Sequence, residues 1–398
     1  MEIRRADEAD YADGLAPVMH YFGHSHDDGT AERLARLLPA DRMHVAREDG
    51  SIVAGASSFA FELSVPGGTL PAGGVTIVGV LPTHRRRGIL TKLMRAQLDD
   101  LHERAEPLAC LWASEGGIYE RFGYGVAALC GEIDLRRAHA RFRRGPAHGG
   151  SFRLLDAEEA LAAIPPVYAR VAAETPGMFA RTQAWWESRA LRDSEERREG
   201  AGEMARVVLE RDGEAEAYAL YRLKLEFEAG SSIGEVRVIE AMGVSPEATA
   251  GIWRFLLDID WMERLEALLL PVDHPLFLLL EDPRRMRFRL WDSLWVRLVD
   301  VSAALAGRSR AGDGDVVLEV RDAFCPWNEG RFSAEGERTT AQADLRLDVA
   351  DLGSVYLGGF SFAELERAGR VEELVEGAVA RADALFRADR APWCPEIF

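Results

Sequence analysis

Arg85, Arg86, Arg87 and Gly88 stand together where a β-branched run gives way to a helical period. That combination can grip a phosphate. The first N–H groups of a helix have no partners within it, and the helix dipole adds partial positive charge there. A pyrophosphate fills such a position, and glycine lets the backbone come close because no β-carbon obstructs it. The arginines add full charges beside the same point. A merely solvated basic helix start is the alternative. Three adjacent arginines at that glycine, in an acidic chain, weigh against it.

The flanking pattern supplies the elements that would position this group. Val75–Val80 (V-T-I-V-G-V) predicts a buried strand. Pro82-Thr83-His84 breaks it, and Leu90, Leu93, Met94, Leu98 and Leu101 then fall on one helical face. Leu108–Ala113 predicts a second strand lying beside Val75–Val80, closing a right-handed β-α-β unit. Upstream, Glu2–Arg5 reads as a strand, Leu34–Leu38 as helix, and His44–Arg47 with Ser51–Glu62 as a hairpin. Downstream come a short helix at Ile118–Phe122, a turn at Gly123-Tyr124-Gly125 and a strand at Ala127–Leu135.

The basic stretch Arg136–Gly150 marks a boundary or linker. Beyond it, Leu161–Ala172 and Phe179–Arg192 read as helical. Ala205–Glu210, Ala217–Glu226 and Glu235–Met242 read as strands, and Ala248–Leu257 as a helix. Val244-Ser245-Pro246 with Gly251-Ile252 echoes Val80-Leu81-Pro82 with Gly88-Ile89. Glu247-Ala248-Thr249-Ala250 replaces the arginines, so the pattern predicts a duplicated fold whose second copy has lost the phosphate site. A third region carries strands at Leu294–Val299, Val316–Val320 and Leu345–Val349, and helices at Ala350–Tyr356, Phe362–Ala368 and Val371–Phe386. Trp185, Trp186 and Trp291 read as core.

The 398 residues suffice for two or three domains, and 47% hydrophobic with 29% charged residues is a soluble globular balance. A net charge of −18 disfavours nucleic acid and anionic lipid surfaces and mildly favours cationic substrates. Cys110, Cys130, Cys325 and Cys394 form neither a metal pattern nor a disulfide scaffold and read as reduced thiols, with no metal site expected. Met1–Asp10 has no apolar leader core, and the apolar run Leu265–Leu280 is broken by charges and prolines. The expectation is a cytoplasmic protein that does not span a membrane. His24, His26, Asp27 and Asp28 form a polar cluster that reads as helix capping before it reads as an acceptor pocket.

Arg85 and Gly88 match the acyl-CoA-binding motif Q/R-x-x-G-x-G/A, whereas Leu90 departs from it. The longer string V-x-P-T-H-R-R-R-G-I-L, the segment A-S-E-G-G-I-Y-x-R-F-G-Y-G at Ala113–Gly125 and T-P-G-M-F-A-R-T-Q-A-W-W at Thr175–Trp186 accompany it. Together these resemble the GCN5-related N-acetyltransferases (GNATs), and within them the Eis branch, where this leucine is usual. The resemblance spans the chain. It implies an α/β (α+β) fold of tandem GNAT domains followed by a sterol-carrier-protein-like α+β domain. The regions would be residues 1–145, catalytic; 146–288, a degenerate second copy; and 289–398, delivering the C-terminus to the first.

The same resemblance implies the site. Val78, Gly79 and Val80 would receive the pantetheine arm of acetyl-CoA as an added strand does. Arg86, Arg87, Gly88, Ile89, Leu90 and Thr91, with Arg85 close by, would hold the pyrophosphate. Ser114 and Glu115 would line the acyl end. Tyr119 would be the general acid and the α-carboxylate of Phe398 the general base. The chemistry needs both. An alkyl ammonium, with an ordinary pKa of about 10.4, must lose a proton before attack, and a departing thiolate leaves better once protonated. An α-carboxylate, ordinary pKa about 3.5, is ionised and attracts a cation. The apolar ending W-C-P-E-I-F argues against a frayed terminus, and Glu396 would add negative charge to the pocket.

Direct transfer to a primary amine is expected, the acceptor being an aminoglycoside-like or other polyamine small molecule. A protein lysine is the alternative acceptor, and a non-catalytic lipid-binding protein the alternative class. The resemblance also implies a homo-oligomer, a hexamer.

Overall fold

The computed structural model describes residues 1–21, 23, 28–143 and 149–398, without the side chains of 28–30. The polar cluster of His24, His26, Asp27 and the Asp28 side chain lies outside the described residues. Two compact units form. One combines Met1–Ala128, Ser293–Pro392 and Ile397–Phe398; the other combines Leu129–Asp292 with Trp393–Glu396.

The first unit holds a seven-stranded sheet in the spatial order Glu2–Arg5, Met43–Glu48, Ser51–Val65, Gly68–Val80, Leu108–Trp112, Leu294–Leu298, Gly125–Val126. Late-sequence Leu294–Leu298 thus pairs antiparallel with both Leu108–Trp112 and Gly125–Val126. Leu129–Arg136, next in the chain after Gly125–Val126, pairs instead in the second unit's sheet, against Met262–Pro271 and Arg289–Asp292. The helix Ile89–Glu103 buries Ile89, Leu93, Met94, Leu98 and Leu101, the face that the sequence period marks apart from Leu90. A four-stranded sheet, Gly330–Phe332, Leu318–Arg321, Leu345–Asp348, Val371–Glu373, also belongs to this unit, with the helices Val301–Ala306, Val349–Tyr356, Phe362–Arg367 and Ala378–Phe386.

That last part corrects an expectation. Val371–Phe386 is not one helix. Val371 pairs with Leu347 across strands, and the helix starts only after Gly377, whose φ of 80° sets the backbone turn.

The second unit's sheet runs Arg289–Asp292, Leu129–Arg136, Met262–Pro271, Gly234–Gly243, Glu214–Lys224, Ala205–Arg211, Ser151–Leu154. Alternation sends Val207, Ala217 and Ala219 to one face, against Ile252, Trp253 and Leu256 of the helix Pro246–Leu257. It sends Val208, Tyr218 and Leu220 to the other, against Ile164, Val167, Tyr168 and Val171 of the helix Ala157–Ala173. Phe179–Arg192 is helical only from Gln183, where Thr182 caps a short turn that widens at Trp186–Ala190. Trp185 and Trp186 are buried as expected, whereas Trp291, on an edge strand, is 41% exposed. No helix among the described residues is long and apolar enough to cross a membrane.

His274 lies wholly inside this second core. Its Nδ1 accepts the Leu276 N–H at 3.2 Å, and its ring meets Trp253 edge-on at 4.8 Å. Burial lowers its pKa to about 3. Between the unfolded value of about 6.5 and 3, only the unfolded chain takes up the proton. Stability therefore falls as pH drops through that window, by about 1.4 kcal/mol per unit from this group. Urea titrations at pH 6.5 and 4.5 should show the parent losing roughly 2–3 kcal/mol more than His274→Asn, which keeps an acceptor and cannot charge. Equal losses would refute the assignment.

Candidate active site

Gly68–Val80 and Leu108–Trp112 pair in parallel at Ala72↔Leu108, Gly73↔Ala109 and Gly74↔Cys110, and the pairing stops there. Sequence reasoning set Leu108–Ala113 beside Val75–Val80. The observed pairing lies upstream, at Ala72–Gly74, so among the described residues no strand pairs with Val75–Val80 on that side. A bulge accompanies the change. Gly55 faces Gly79 but Ser57 faces Thr76, and Ile77 adopts φ 56°. A β-branched residue rarely takes that conformation, so strain sits beside Val78, Gly79 and Val80.

The turn that follows presents N–H groups. Arg86 and Gly88 are left-handed, at φ 61° and 75°, and Gly88 caps Ile89–Glu103 with no side-chain hydrogen bond. Among the described residues nothing caps the first-turn N–H groups of Ile89, Leu90 and Thr91, and a β-carbon at Gly88 would meet none of their atoms within 4 Å. The three arginines separate. Arg87 makes a two-pronged pair with Glu48 at 2.8 and 2.6 Å, and His84 Nε2 lies 3.3 Å from the same carboxylate. Arg85 stacks 4.5 Å over Tyr21, whose hydroxyl donates to the Val80 carbonyl at 2.6 Å. Arg86 has no ion pair among the described residues. Of the three expected charges, Arg87's is already matched by Glu48. Tyr21 was missed, since nothing local in sequence ties it to Val80.

The second copy differs where chemistry would need it most. Its helix starts directly at Pro246, capped by Ser245 Oγ accepting from Ala248 N at 3.1 Å, with Glu247 in the first turn. Serine, proline and glutamate satisfy, remove or repel what an anion requires. Gly251, matched to Gly88 by sequence, lies inside this helix and buried. The cap position belongs to Ser245.

Tyr119 is buried with Met94, Leu98, Leu101, Ala109 and Leu111 on the face that carries Ile89–Glu103. Its hydroxyl is hydrogen-bonded to Ser114, and burial, with Glu115 nearby, raises its pKa above the ordinary value. The phenol therefore keeps its proton, as a donor must. The turn after it is braced by Arg297, 0% exposed, ion-paired with Asp322 at 2.5 Å; a β-carbon at Gly123 would strike the Arg297 guanidinium. Sequence reasoning missed this pair, because a lone arginine in L-W-V-R-L reads as an outward residue of a half-exposed strand.

Phe398 stands on the opposite face. Its ring meets Phe61 edge-on at 4.9 Å and Phe59 at 6.4 Å. A β-carbon on Gly74 would meet the Phe61 ring, whereas one on its neighbour Gly73 would meet Leu101 of Ile89–Glu103. Successive residues of a strand point to opposite faces. Tyr119 and Phe398 thus flank, from two sides, the point at Gly74 where the strands part. Ser114 and Glu115, both exposed, sit just beyond the end of Leu108–Trp112. Glu396 does not add free negative charge: Arg181 at 3.1 Å and Arg189 at 3.2 Å pair with it.

Comparison with known proteins agrees with this fold. Residues 2–127 and 177–298 each match a family described as Acetyltransferase (GNAT) domain, and 301–395 match one described as Sterol carrier protein domain. The expected order of two GNAT folds and a sterol-carrier-like region is borne out. An uncharacterized N-acetyltransferase of Streptomyces coelicolor is 45% identical, with 92% of each chain covered. N-acetyltransferase Eis of Mycobacterium tuberculosis is 36% identical over 89% of this chain and 88% of its own. The crystal structure of Eis1 from Mycobacterium abscessus superposes with a TM-score of 0.87 at 35% identity, covering 100% of both chains.

Proposed function

Because the chain belongs to the Eis-like N-acetyltransferases of the GNAT superfamily, we propose that it carries an acetyl group from acetyl-CoA directly to a primary amine of a polyamine-like small molecule, such as an aminoglycoside. The observation that supports this best is the contrast between two helix starts. The one at Gly88 is uncapped, left-handed and open, and it lies next to diverging strands; its counterpart at Ser245 is capped from within.

In this reading, backbone groups of Val78, Gly79 and Val80 align the pantetheine arm, and N–H groups from Gly88 to Thr91 take the pyrophosphate with Arg86 adding charge. Arg85 and Arg87 shape the turn through Tyr21 and Glu48. Ser114 and Glu115 line the acyl end. The Phe398 carboxylate takes a proton from the acceptor ammonium, the freed amine forms the C–N bond, and the C–S bond breaks. Tyr119 gives its proton to the departing sulfur, and the second proton that the nitrogen sheds as the amide forms restores the phenol. No covalent enzyme intermediate forms. A hexameric, cytoplasmic enzyme completes the proposal, and sedimentation of the purified protein tests the assembly.

The activity test is thiol release from acetyl-CoA with a panel of aminoglycosides, simple polyamines and lysine-bearing peptides. Release with the small amines supports the reading. Release only with peptides moves the acceptor to protein lysine, and none with any acceptor rejects acetyl-CoA-dependent transfer to amines. Gly88→Ala should weaken acetyl-CoA binding by about 10-fold, the worth of one hydrogen bond to a charged group. Its own fold should lose only the left-handed strain of about 1–2 kcal/mol, since the added methyl meets no neighbour. Calorimetric titration checks the first and thermal melting the second.

A further inference from the structure

The segment Thr175–Trp186 stands out in sequence, yet the reaction above uses none of it. Within the second unit it surrounds Trp393–Glu396. The Pro176 carbonyl accepts the Trp393 N–H at 2.8 Å. Gly177, at φ 91°, lies so close that a β-carbon there would come within 3.1–3.4 Å of the Trp393 backbone. Trp185 Nε1 donates to Glu396 Oε2 at 2.7 Å. Arg181, 2% exposed at its side chain, lies 4.1 Å over the Tyr168 ring and 4.7 Å from that of Trp186. It holds Glu240 at 2.9 and 2.6 Å and reaches Glu396 at 3.1 Å. Arg189 closes the other Glu396 oxygen at 3.2 Å. Trp393 Nε1 donates to the Leu269 carbonyl.

These contacts fix Glu396 two residues before the end. Two residues span at most about 7 Å of extended chain, so fixing Glu396 confines the terminal carboxylate. We propose that Thr175–Trp186, through Arg181, Trp185 and the neighbouring Arg189, is a clamp for the terminal segment, and that Glu396 is a positioning residue for the Phe398 carboxylate. The inference rests on the reading of that carboxylate as the base. The second GNAT copy thereby acquires a role of its own. Its anion site is filled by Ser245, and it holds Trp393–Glu396.

Glu396 is the residue to change, because the buried Arg181 keeps Glu240 as its partner afterwards and the ion pair lost at Arg189 involves a side chain that is 22% exposed. Glu396→Ala should lower kcat by about 100-fold, the effect of displacing a reacting group by about 1 Å, with the KM for acetyl-CoA little changed. In a chain lacking Phe398 the same substitution should cost nothing further, as expected of two residues acting as one unit. Release of the terminal phenylalanine by carboxypeptidase should quicken about 10-fold, the worth of one hydrogen bond to a charged group. Glu396→Gln, which keeps an acceptor for Trp185, should fall between parent and alanine variant, and it serves if the alanine variant folds poorly.

Unchanged kcat and unchanged carboxypeptidase release would overturn the clamp. So would an equal loss with and without Phe398. If removing Phe398 alone leaves turnover intact, the base reading fails, and faster carboxypeptidase release then still reports whether the tail is clamped.

Discussion

A single glycine added after Phe398 is expected to lower turnover by about 10²–10⁴-fold, the usual contribution of a positioned general base. The addition turns the Phe398 carboxyl into an amide, which cannot take a proton, and carries the new carboxylate about 3.5 Å away. The aromatic ring stays, so its contacts with Phe61 and Phe59 remain available to hold the segment. Binding of acetyl-CoA should be unaffected, because the groups assigned to it lie at Val78–Val80 and around Gly88. Deleting Phe398 should cut turnover similarly but also remove the ring. The glycine extension is thus the cleaner measurement, and full turnover in that variant would exclude the terminal base.

Tyr119→Phe carries the other large effect. Loss of a general acid costs about 10²–10⁴-fold, here in kcat more than in KM, because protonation of the leaving sulfur occurs only as the C–S bond breaks. The change removes one hydroxyl from an otherwise apolar cluster and leaves Ser114, exposed, free to bond with water. The pH profile adds a second check. Burial raises the Tyr119 pKa, so the proton stays in place where an ordinary phenol, pKa about 10, would lose it. The parent should therefore show no falling alkaline limb below pH 10. A limb near pH 8, or a normal rate in the phenylalanine variant, would remove Tyr119 from the acid role.

What could be read from sequence was what local chemistry determines. Arg85–Gly88 announces an anion-gripping helix start because the break, the glycine and the helical period are adjacent in the chain. The duplication was legible for the same reason, from two strand–helix junctions with opposite cap chemistry. Tyr119 and Phe398 came only through family resemblance: a buried tyrosine and a terminal phenylalanine have no local signature of acid or base. Arg297 with Asp322 was illegible because the arginine's strand reads as half-exposed, and Glu396 with Arg181 because folding joins them across a long sequence separation. Glu396 was misjudged for that reason, its charge being matched by Arg181 and Arg189 far upstream. Strand partners were equally hidden. Leu129–Arg136 and Leu294–Leu298 have the alternation that either sheet would accept, and alternation does not name a neighbour.

The position of Leu294–Leu298, between Leu108–Trp112 and Gly125–Val126, bears on how the molecule is made. A nascent chain emerges from its N-terminus, so Leu108–Trp112 leaves the ribosome nearly two hundred residues before its neighbour exists. During that interval its apolar edge, L-A-C-L-W, is an open template for a wrong partner. A gene fragment ending near residue 145 would make that interval permanent. The acetyltransferase region is thus no detachable cassette: its sheet is finished by a strand encoded after the whole second copy has been translated.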